Sequence, residues 1–145
     1  MSMSDLLVET NCACTSLRKT TRSITQFYDR MLRPAGLRCT QLSLLSQISG
    51  RGTITFGELG ERLLMDQTTV TRNVDNLKKL GYVSITNCEN DARKKYITIS
   101  AAGAQKLAEA APLWREAHAR ITQGLGGERY DELMALLSDV ERLVE

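Results

Sequence analysis

The chain has 145 residues, 42% of them hydrophobic and 25% charged, with a formal net charge of +2. These values are typical of one folded domain and exclude a globally disordered chain, and no apolar run is long enough to span a membrane. Basic residues are concentrated between 15 and 40 and between 66 and 95, whereas residues 104–145 carry five basic and eight acidic side chains. This asymmetry favours an anionic partner for the front and middle of the chain.

The N-terminal sequence has no basic segment followed by an apolar one, so no secretory signal is predicted. We therefore expect a cytoplasmic protein without a membrane partner, whose four cysteines are mostly thiols. An enzyme is not expected. The single histidine, His118, has no evident nucleophile partner, and no glycine-rich phosphate loop follows a strand. Neither a cofactor nor a metal is expected.

Hydrophobic spacing predicts the first elements in chain order. Apolar residues recur at helical intervals over about 15–32 and again over 40–48, where Thr40 is placed to cap the second helix. A short β-prone segment, Thr53–Thr55, follows, and residues 56–64 then show the pattern of a third helix.

The middle of the chain predicts a helix followed by a hairpin. Asp66 is placed to cap a helix over 67–80. Residues 82–87 and 95–99 are rich in β-branched side chains and predict two strands. The polar stretch 88–94 between them is expected to be an exposed loop.

Two further helices complete the prediction, the first capped by Ser100 and running to about 123, the second over about 128–144. The apolar side chains of the last helix are expected to be buried: Leu133, Leu136, Leu137, Val140 and Val144. The predicted fold class is mainly α (α+β), a single domain over 1–145.

Two short helices joined by a tight turn and followed by a hairpin describe a winged helix-turn-helix, predicted here over 38–103. Its reading helix is 67–80 and its wing is 82–99. Such a helix needs one apolar face for docking and one polar face for the major groove of DNA. Val70, Val74 and Leu77 supply the apolar face. The predicted DNA-binding residues of the helix are Gln67, Thr68, Thr69, Thr71, Arg72, Lys78 and Lys79.

The chemistry of these side chains suits double-stranded DNA. Arg72 is able to bind guanine bidentately, and threonine offers a methyl group to thymine or a hydroxyl to phosphate. Thr68, Thr69 and Thr71 are poor helix formers, so folding alone gives no reason for three threonines on a solvated helix face. Asp75 is unusual here, since phosphates repel a carboxylate. An ion pair with Lys79 is the favoured interpretation, and a bond from cytosine N4 is the alternative.

The wing carries three cations, Arg93, Lys94 and Lys95. An arginine at the tip of the hairpin would be able to enter the adjacent minor groove, where the potential is most negative. Simple solvation of the three cations is the alternative.

From Leu59 to Gly103 the sequence resembles the multiple-antibiotic-resistance regulator (MarR) family. Residues 66–83 are similar to its recognition region, Asp91-Ala-Arg93 matches its D-x-R wing, and Ile99-Ser-Ala-Ala-Gly103 is similar to the segment after the wing. The resemblance covers residues 15–144 in element order. One departure is Ser84-Ile85, where the family often has a basic residue, so a backbone contact is not expected there.

The resemblance implies a homodimer in which residues 1–34 and 104–145 form the dimerisation helices. It implies that Thr69, Thr71, Arg72 and Arg93 contact DNA and that Asp91 orients Arg93. It also implies control of nearby genes, usually relieved by a small ligand or by cysteine oxidation.

Three cysteines are candidate sensor thiols: Cys12, Cys14 and Cys39. The first two are similar in position to the cysteine of a hydroperoxide-sensing branch of the family, and a thiol at a helix N-terminus favours the thiolate. Small buried thiols are the simpler interpretation, and a site for a soft metal such as Cu(I) is a third.

Arg18, Arg22 and Arg38 are candidates for an effector pocket that would hold an aromatic carboxylate. Solvation, or contact with phosphates, is the alternative for them. A different class of function also fits a winged helix, namely a protein–protein interaction module without sequence-specific DNA binding.

Overall fold

The structure is a computed structural model that describes residues 2–4 and 12–145; residues 1 and 5–11 of the predicted N-terminal dimerisation segment lie outside it. The helices are α1 Ala13–Leu32, α2 Cys39–Arg51, α3 Phe56–Leu63, α4 Gln67–Lys79, α5 Ala101–Leu125 and α6 Gly127–Leu143. The strands are β1 Thr53–Thr55, β2 Val83–Cys88 and β3 Asp91–Ile99. The mainly helical α+β prediction is confirmed. Among the helices of these ranges, none is long and apolar enough to cross a membrane.

The three strands form one antiparallel sheet in the order β1-β3-β2. Ile97 of β3 lies opposite Ile54 of β1 and Ile85 of β2. Since side chains alternate across a strand, this register turns Ile54 and Ile97 inward, and both are fully buried. The sheet therefore attaches the hairpin to the helical body through its central strand.

The core lies beneath α4 and joins α2, α3 and the sheet. Val70, Val74 and Leu77 of α4 are fully buried, as the helical spacing predicted. They pack in one cluster with residues of the other elements: Leu44, Leu45, Ile48, Ile54, Leu59 and Ile97. Burial of this apolar face holds α4 with its polar face outward.

The start of α2 differs from the prediction. The helix begins at Cys39, and Arg38 rather than Thr40 occupies the capping position. The backbone N–H of Arg38 donates to Oε1 of Gln41 at 2.9 Å, which holds the chain at this terminus. The sequence indicated a hydroxyl cap, in which a side chain before the helix bonds the helix backbone. Here the contact runs the other way, because the side chain of the third helical residue bonds the backbone of the capping residue.

The predicted loop 88–94 is too long, because β2 extends to Cys88 and β3 begins at Asp91, which leaves residues 89 and 90 as the turn. The register passes from Asn87 opposite Lys95 to Cys88 opposite Asp91, so residues 92–94 form a bulge. Polarity suggested a loop over the whole stretch, whereas the strands pair once more, at Cys88 and Asp91, beyond the bulge.

The expected burial of the last helix within the chain is also wrong. No residue of α6 is buried, Leu136 is 61% exposed, and Val144, directly after the helix, is 77% exposed. Within one chain α6 packs on α5, which leaves most of its apolar surface open.

Candidate nucleic-acid interface

The turn between α3 and α4 depends on one unusual backbone conformation and one close approach of the backbone. Leu64 adopts a left-handed conformation with φ of 51° and ends α3. A β-carbon at Gly60 would lie 2.8 Å from Nε2 of Gln67 and 2.9 Å from the carbonyl oxygen of Met65. Only glycine allows the two helices to approach this closely, so Gly60 sets the angle at which α4 leaves the body.

Asp66 caps the reading helix, as predicted. Its Oδ1 accepts a hydrogen bond from the backbone N–H of Thr69 at 2.8 Å, and this bond lowers the pKa of Asp66. A carboxylate at this position also interacts favourably with the helix dipole. The cap therefore fixes the first turn of the helix, where the threonines lie.

The polar face of α4 points away from the core. Thr68, Thr71, Arg72, Lys78 and Lys79 are exposed. Thr69 is partly buried, and its backbone N–H and carbonyl oxygen bond the side chains of Asp66 and Asn73. Among the predicted threonines, Thr68 and Thr71 are thus the better placed for contact with DNA.

A groove of about 830 Å³ separates α4 from the wing and is called the main groove here. Its lining includes six of the predicted DNA-binding residues: Gln67, Thr71, Lys78, Arg93, Lys94 and Lys95. The fold therefore brings the reading helix and the wing cations to a single concave surface. A shallower concavity on the outer side of α4 adds Thr68 and Arg72.

The wing cations lie at the bulge in β3 rather than at the tip of a loop. Lys95 is paired with Asn87, whereas Arg93 and Lys94 fall within the unpaired stretch. Oδ1 of Asp91 accepts a hydrogen bond from the backbone N–H of Arg93 at 3.0 Å. Asp91 therefore holds the backbone of Arg93, and the guanidinium group remains exposed.

Gln67 makes a contact that its sequence position did not indicate. Its Nε2 donates to the carbonyl oxygen of Phe56 across 3.5 Å and lies over Gly60. The side chain thus bridges the starts of α3 and α4 along the edge of the main groove.

The expected ion pair between Asp75 and Lys79 is absent. The ion pairs in the described ranges are Lys106–Glu109, Arg120–Glu116 and Arg142–Asp139. An exposed i, i+4 pair gains little energy in water and must restrain a long side chain, so helical spacing allows such a pair without requiring it.

Sequence reasoning missed several residues of these surfaces. Thr55, Gly57, Glu58 and Asn87 also line the main groove. They belong to the start of α3 and to β2, and only the fold brings these segments beside α4. No local pattern marks them.

A sequence model of the MarR family matches residues 35–94. The transcriptional regulator MosR of Mycobacterium tuberculosis, solved in complex with DNA, is 37% identical over 93% of this chain and 99% of its own, with a TM-score of 0.82. The chain belongs to the MarR family.

Two further similar proteins are more distant in sequence. The uncharacterized HTH-type transcriptional regulator YkoM of Bacillus subtilis (strain 168) is 26% identical over 116 residues, 80% of this chain and 75% of its own. A cysteine-to-serine mutant of Escherichia coli MarR, complexed with operator DNA, is 21% identical over 97% and 99% of the two chains, with a TM-score of 0.84. At this low identity, the similarity to Escherichia coli MarR shows a shared fold. The chain is thus a MarR-family transcriptional regulator with a winged helix-turn-helix.

A second groove of this MarR fold, the side groove, lies between the start of α2 and the end of α4. It is lined by Arg38, Thr40, Gln41, Asn73, Asn76, Lys79 and Leu80. Arg38 and Lys79 therefore share a surface beside the reading helix. Arg18 and Arg22 lie elsewhere, exposed on the N-terminal half of α1.

The candidate sensor thiols of this regulator have different environments. Cys12 occupies the capping position of α1, where the backbone N–H and then the side chain of Thr15 lower the pKa of its thiol. Cys14, in the first turn, is exposed. Cys39 is half buried, and burial followed by the charge of Asp29 raises the pKa of its thiol. Of these two thiols, Cys12 therefore has the larger fraction of thiolate at neutral pH.

Cys88, on the wing, was not singled out from the sequence. Its Sγ lies 3.6 Å from Oη of Tyr96. Hydrogen bonding to the backbone of Asn90, and then to Tyr96, lowers the pKa of the Cys88 thiol. In the part of the chain that the structure describes, no cluster of three His, Cys, Asp or Glu side chains is placed to hold a metal.

Proposed function

We propose that the chain is a homodimeric repressor that binds a palindromic operator. Each subunit places α4 in a major groove and its wing along the adjacent minor groove. Thr68, Thr71 and Arg72 contact bases, while Lys78, Lys79 and the wing cations contact the backbone or the minor groove. The observation that carries this proposal is the main groove, where the reading helix and the cationic bulge of β3 face each other.

The geometry favours DNA over a protein partner. Four cations, Lys78, Arg93, Lys94 and Lys95, line the main groove with two acids, Glu58 and Asp75. The cations stand on both walls of the concavity, as a phosphate backbone passing from major to minor groove requires. The side groove adds Arg38 and Lys79 at the opposite flank, so we assign Arg38 to a phosphate rather than to an effector.

A second copy of the chain is the proposed partner of α6. Leu133, Leu136 and Leu143 are 39%, 61% and 82% exposed. They follow one another at intervals of three and seven residues, which places them on one face of the helix. A face this apolar is rarely left open on a monomer. A two-fold pair of subunits covers both copies of the face and presents two reading helices to two half-sites.

Binding of duplex DNA at increasing salt tests the nucleic-acid proposal. Fluorescence anisotropy with a duplex selected by the protein from a random library, and with a scrambled duplex, gives affinity and salt dependence together. We expect affinity for the selected duplex to fall at least a hundredfold between about 50 and 200 mM salt. A protein–protein module would give no selected sequence, and affinity that did not respond to salt would contradict the proposal.

Sedimentation equilibrium tests the dimer. The wild type should sediment as a dimer at micromolar concentration, and Leu136→Glu should shift it toward the monomer because a charge enters an apolar interface. Leu64→Glu is the matched control, since Leu64 is 76% exposed but lies at the turn before α4. A wild type that remained monomeric would contradict the two-half-site arrangement.

We further propose that oxidation at Cys12 releases the operator. The Cys12 thiolate attacks an oxygen of an organic hydroperoxide. An S–O bond forms, the O–O bond breaks, and the alcohol leaves after taking up a proton. Attack by the Cys14 thiol on the sulfenic acid then forms a disulfide and releases water. The proposal rests on the lowered pKa of Cys12 and on the exposure of Cys14.

Titration of the protein–DNA complex with cumene hydroperoxide tests this switch. The wild type should dissociate, Cys12→Ser should be resistant, and Cys14→Ser should stop at the sulfenic acid, which dimedone labels. If both variants dissociated like the wild type, these thiols would not be the switch. An aromatic carboxylate held near Arg18 or Arg22 would then be the effector to test.

A further inference from the structure

Asp75 is an acidic side chain at the centre of a cationic surface. It lines both the main groove and the concavity on the outer side of α4, as Gln67 and Thr71 also do. It follows Thr68 by seven residues, about 10 Å of helix, at nearly the same angle around the axis. Asp75 therefore belongs to the same row of α4 as Thr68.

The carboxylate is exposed and has no ion-pair partner in residues 2–4 and 12–145. Arg72, Lys78 and Lys79 stand three or four residues away, yet none forms an ion pair with it. A row of side chains that enters the major groove brings Asp75 near DNA. A phosphate would repel the carboxylate, whereas an N–H donor on a base edge would satisfy it.

Only two groups of the major-groove edge donate hydrogen bonds, the N4 amine of cytosine and the N6 amine of adenine. Adenine presents its N7 acceptor beside N6, and N7 faces the second oxygen of a carboxylate unfavourably. Guanine and thymine offer acceptors in this groove. We propose that Asp75 is a specificity-determining residue that selects cytosine at one position of each half-site. This inference rests on the proposed operator binding.

The same carboxylate also lowers the affinity for DNA that lacks cytosine at this position. Where no cytosine amine is available, an unpaired charge stays among phosphates and weakens the complex. Asp75 thus raises the ratio of specific to non-specific affinity through an attractive contact and a repulsive one.

Selection from a duplex library randomised over the half-site tests the proposal, with wild type, Asp75→Asn, Asp75→Ala and the control Asp131→Asn. Asp131 is an exposed acid on α6, on the opposite side of that helix from the proposed dimer face of Leu133, Leu136 and Leu143. Its variant therefore removes the same charge outside both the DNA-binding surface and the dimer face. The wild type and Asp131→Asn should require cytosine at one position, with a loss of about tenfold or more for other bases.

Asp75→Asn should prefer adenine at that position, since an amide matches the N6 donor and N7 acceptor. Asp75→Ala should lose the preference without gaining a new one. Both should bind scrambled duplex more tightly than the wild type. Unchanged base preference in Asp75→Asn would overturn the inference, as would a uniform gain of affinity on all sequences. A wild type that selected no sequence would instead overturn the proposed function itself.

Discussion

A β-carbon at position 103 would lie 2.2 Å from the carbonyl oxygen of Tyr82, so Gly103 packs directly against the backbone that enters the wing. The same carbonyl accepts the backbone N–H of Ser100 at 2.9 Å. The hydroxyl of Ser100 donates to the carbonyl oxygen of Gly81 and accepts from the N–H of Gly103. These contacts join the end of α4, the start of β2 and the first turn of α5.

Gly103→Ala should destabilise the protein by about 1–3 kcal/mol, because the added methyl group forces the wing and α5 apart. In a free helix the same change stabilises by about 1 kcal/mol. Gly124→Ala in α5 is the control, since nothing lies within 4 Å of its β-carbon position, and it should be neutral or stabilising. Urea denaturation measures both. If both variants changed the free energy of unfolding equally, the contact with Tyr82 would not contribute to stability.

Asp66 should make stability depend on pH in a defined direction. Its pKa is lowered in the folded state by the N–H of Thr69. The stabilisation is therefore fully present above the unfolded pKa, about 4, and is lost as the pH falls through the lower folded pKa. Thermal denaturation should show Asp66→Asn keeping the cap in acid, because asparagine caps without titrating. Asp66→Ala should have a lower Tm than the wild type at pH 7. Identical pH profiles for wild type and Asp66→Asn would exclude this role.

Replacement of Arg72 and replacement of Arg93 should weaken DNA binding in different ways. Arg72→Ala should lose about 1–3 kcal/mol on the selected duplex and relax preference at one base position, as expected for a bidentate base contact. Arg93→Ala should weaken binding on all sequences and reduce the salt slope by about one, with discrimination retained. Binding isotherms on selected and scrambled duplexes at several salt concentrations separate the two. If Arg72→Ala kept full affinity for the selected duplex, Arg72 would not read a base.

The thiols should differ in their rate of alkylation at neutral pH. Cys12 and Cys88 have lowered pKa values and Cys39 a raised one, so more thiolate is present at the first two. Iodoacetamide with peptide mass spectrometry should therefore modify Cys12 and Cys88 before Cys39. Thr15→Ala should slow Cys12, whereas the control Thr20→Ala should not. Equally fast modification of Cys39 in the folded protein would contradict this order.

The reading helix could be predicted from the sequence because its determinants are local. Asp66 as cap and the buried spacing of Val70, Val74 and Leu77 specify where α4 begins and which face is turned inward. The predicted polar face follows from the same geometry. The burial of residues 133–144 was not predictable in this way, since the spacing of leucines shows an apolar face but not what covers it.

What the sequence by itself determined was the fold class, the reading helix and the order of the elements, because periodicity and caps act over a few residues. The tertiary structure decided that Gly103 must be glycine, since the oxygen it meets belongs to Tyr82, twenty-one residues earlier. It also decided that Thr55 and Asn87 share a groove with Arg93 and that Asp75 has no ion-pair partner among the described residues. The contacts of Gly103 and the shared groove depend on distances between segments remote in the chain, which only packing of the core and pairing of the strands establish. The ion pair of Asp75 depends on side-chain conformation, because helical spacing allows such a pair without requiring it.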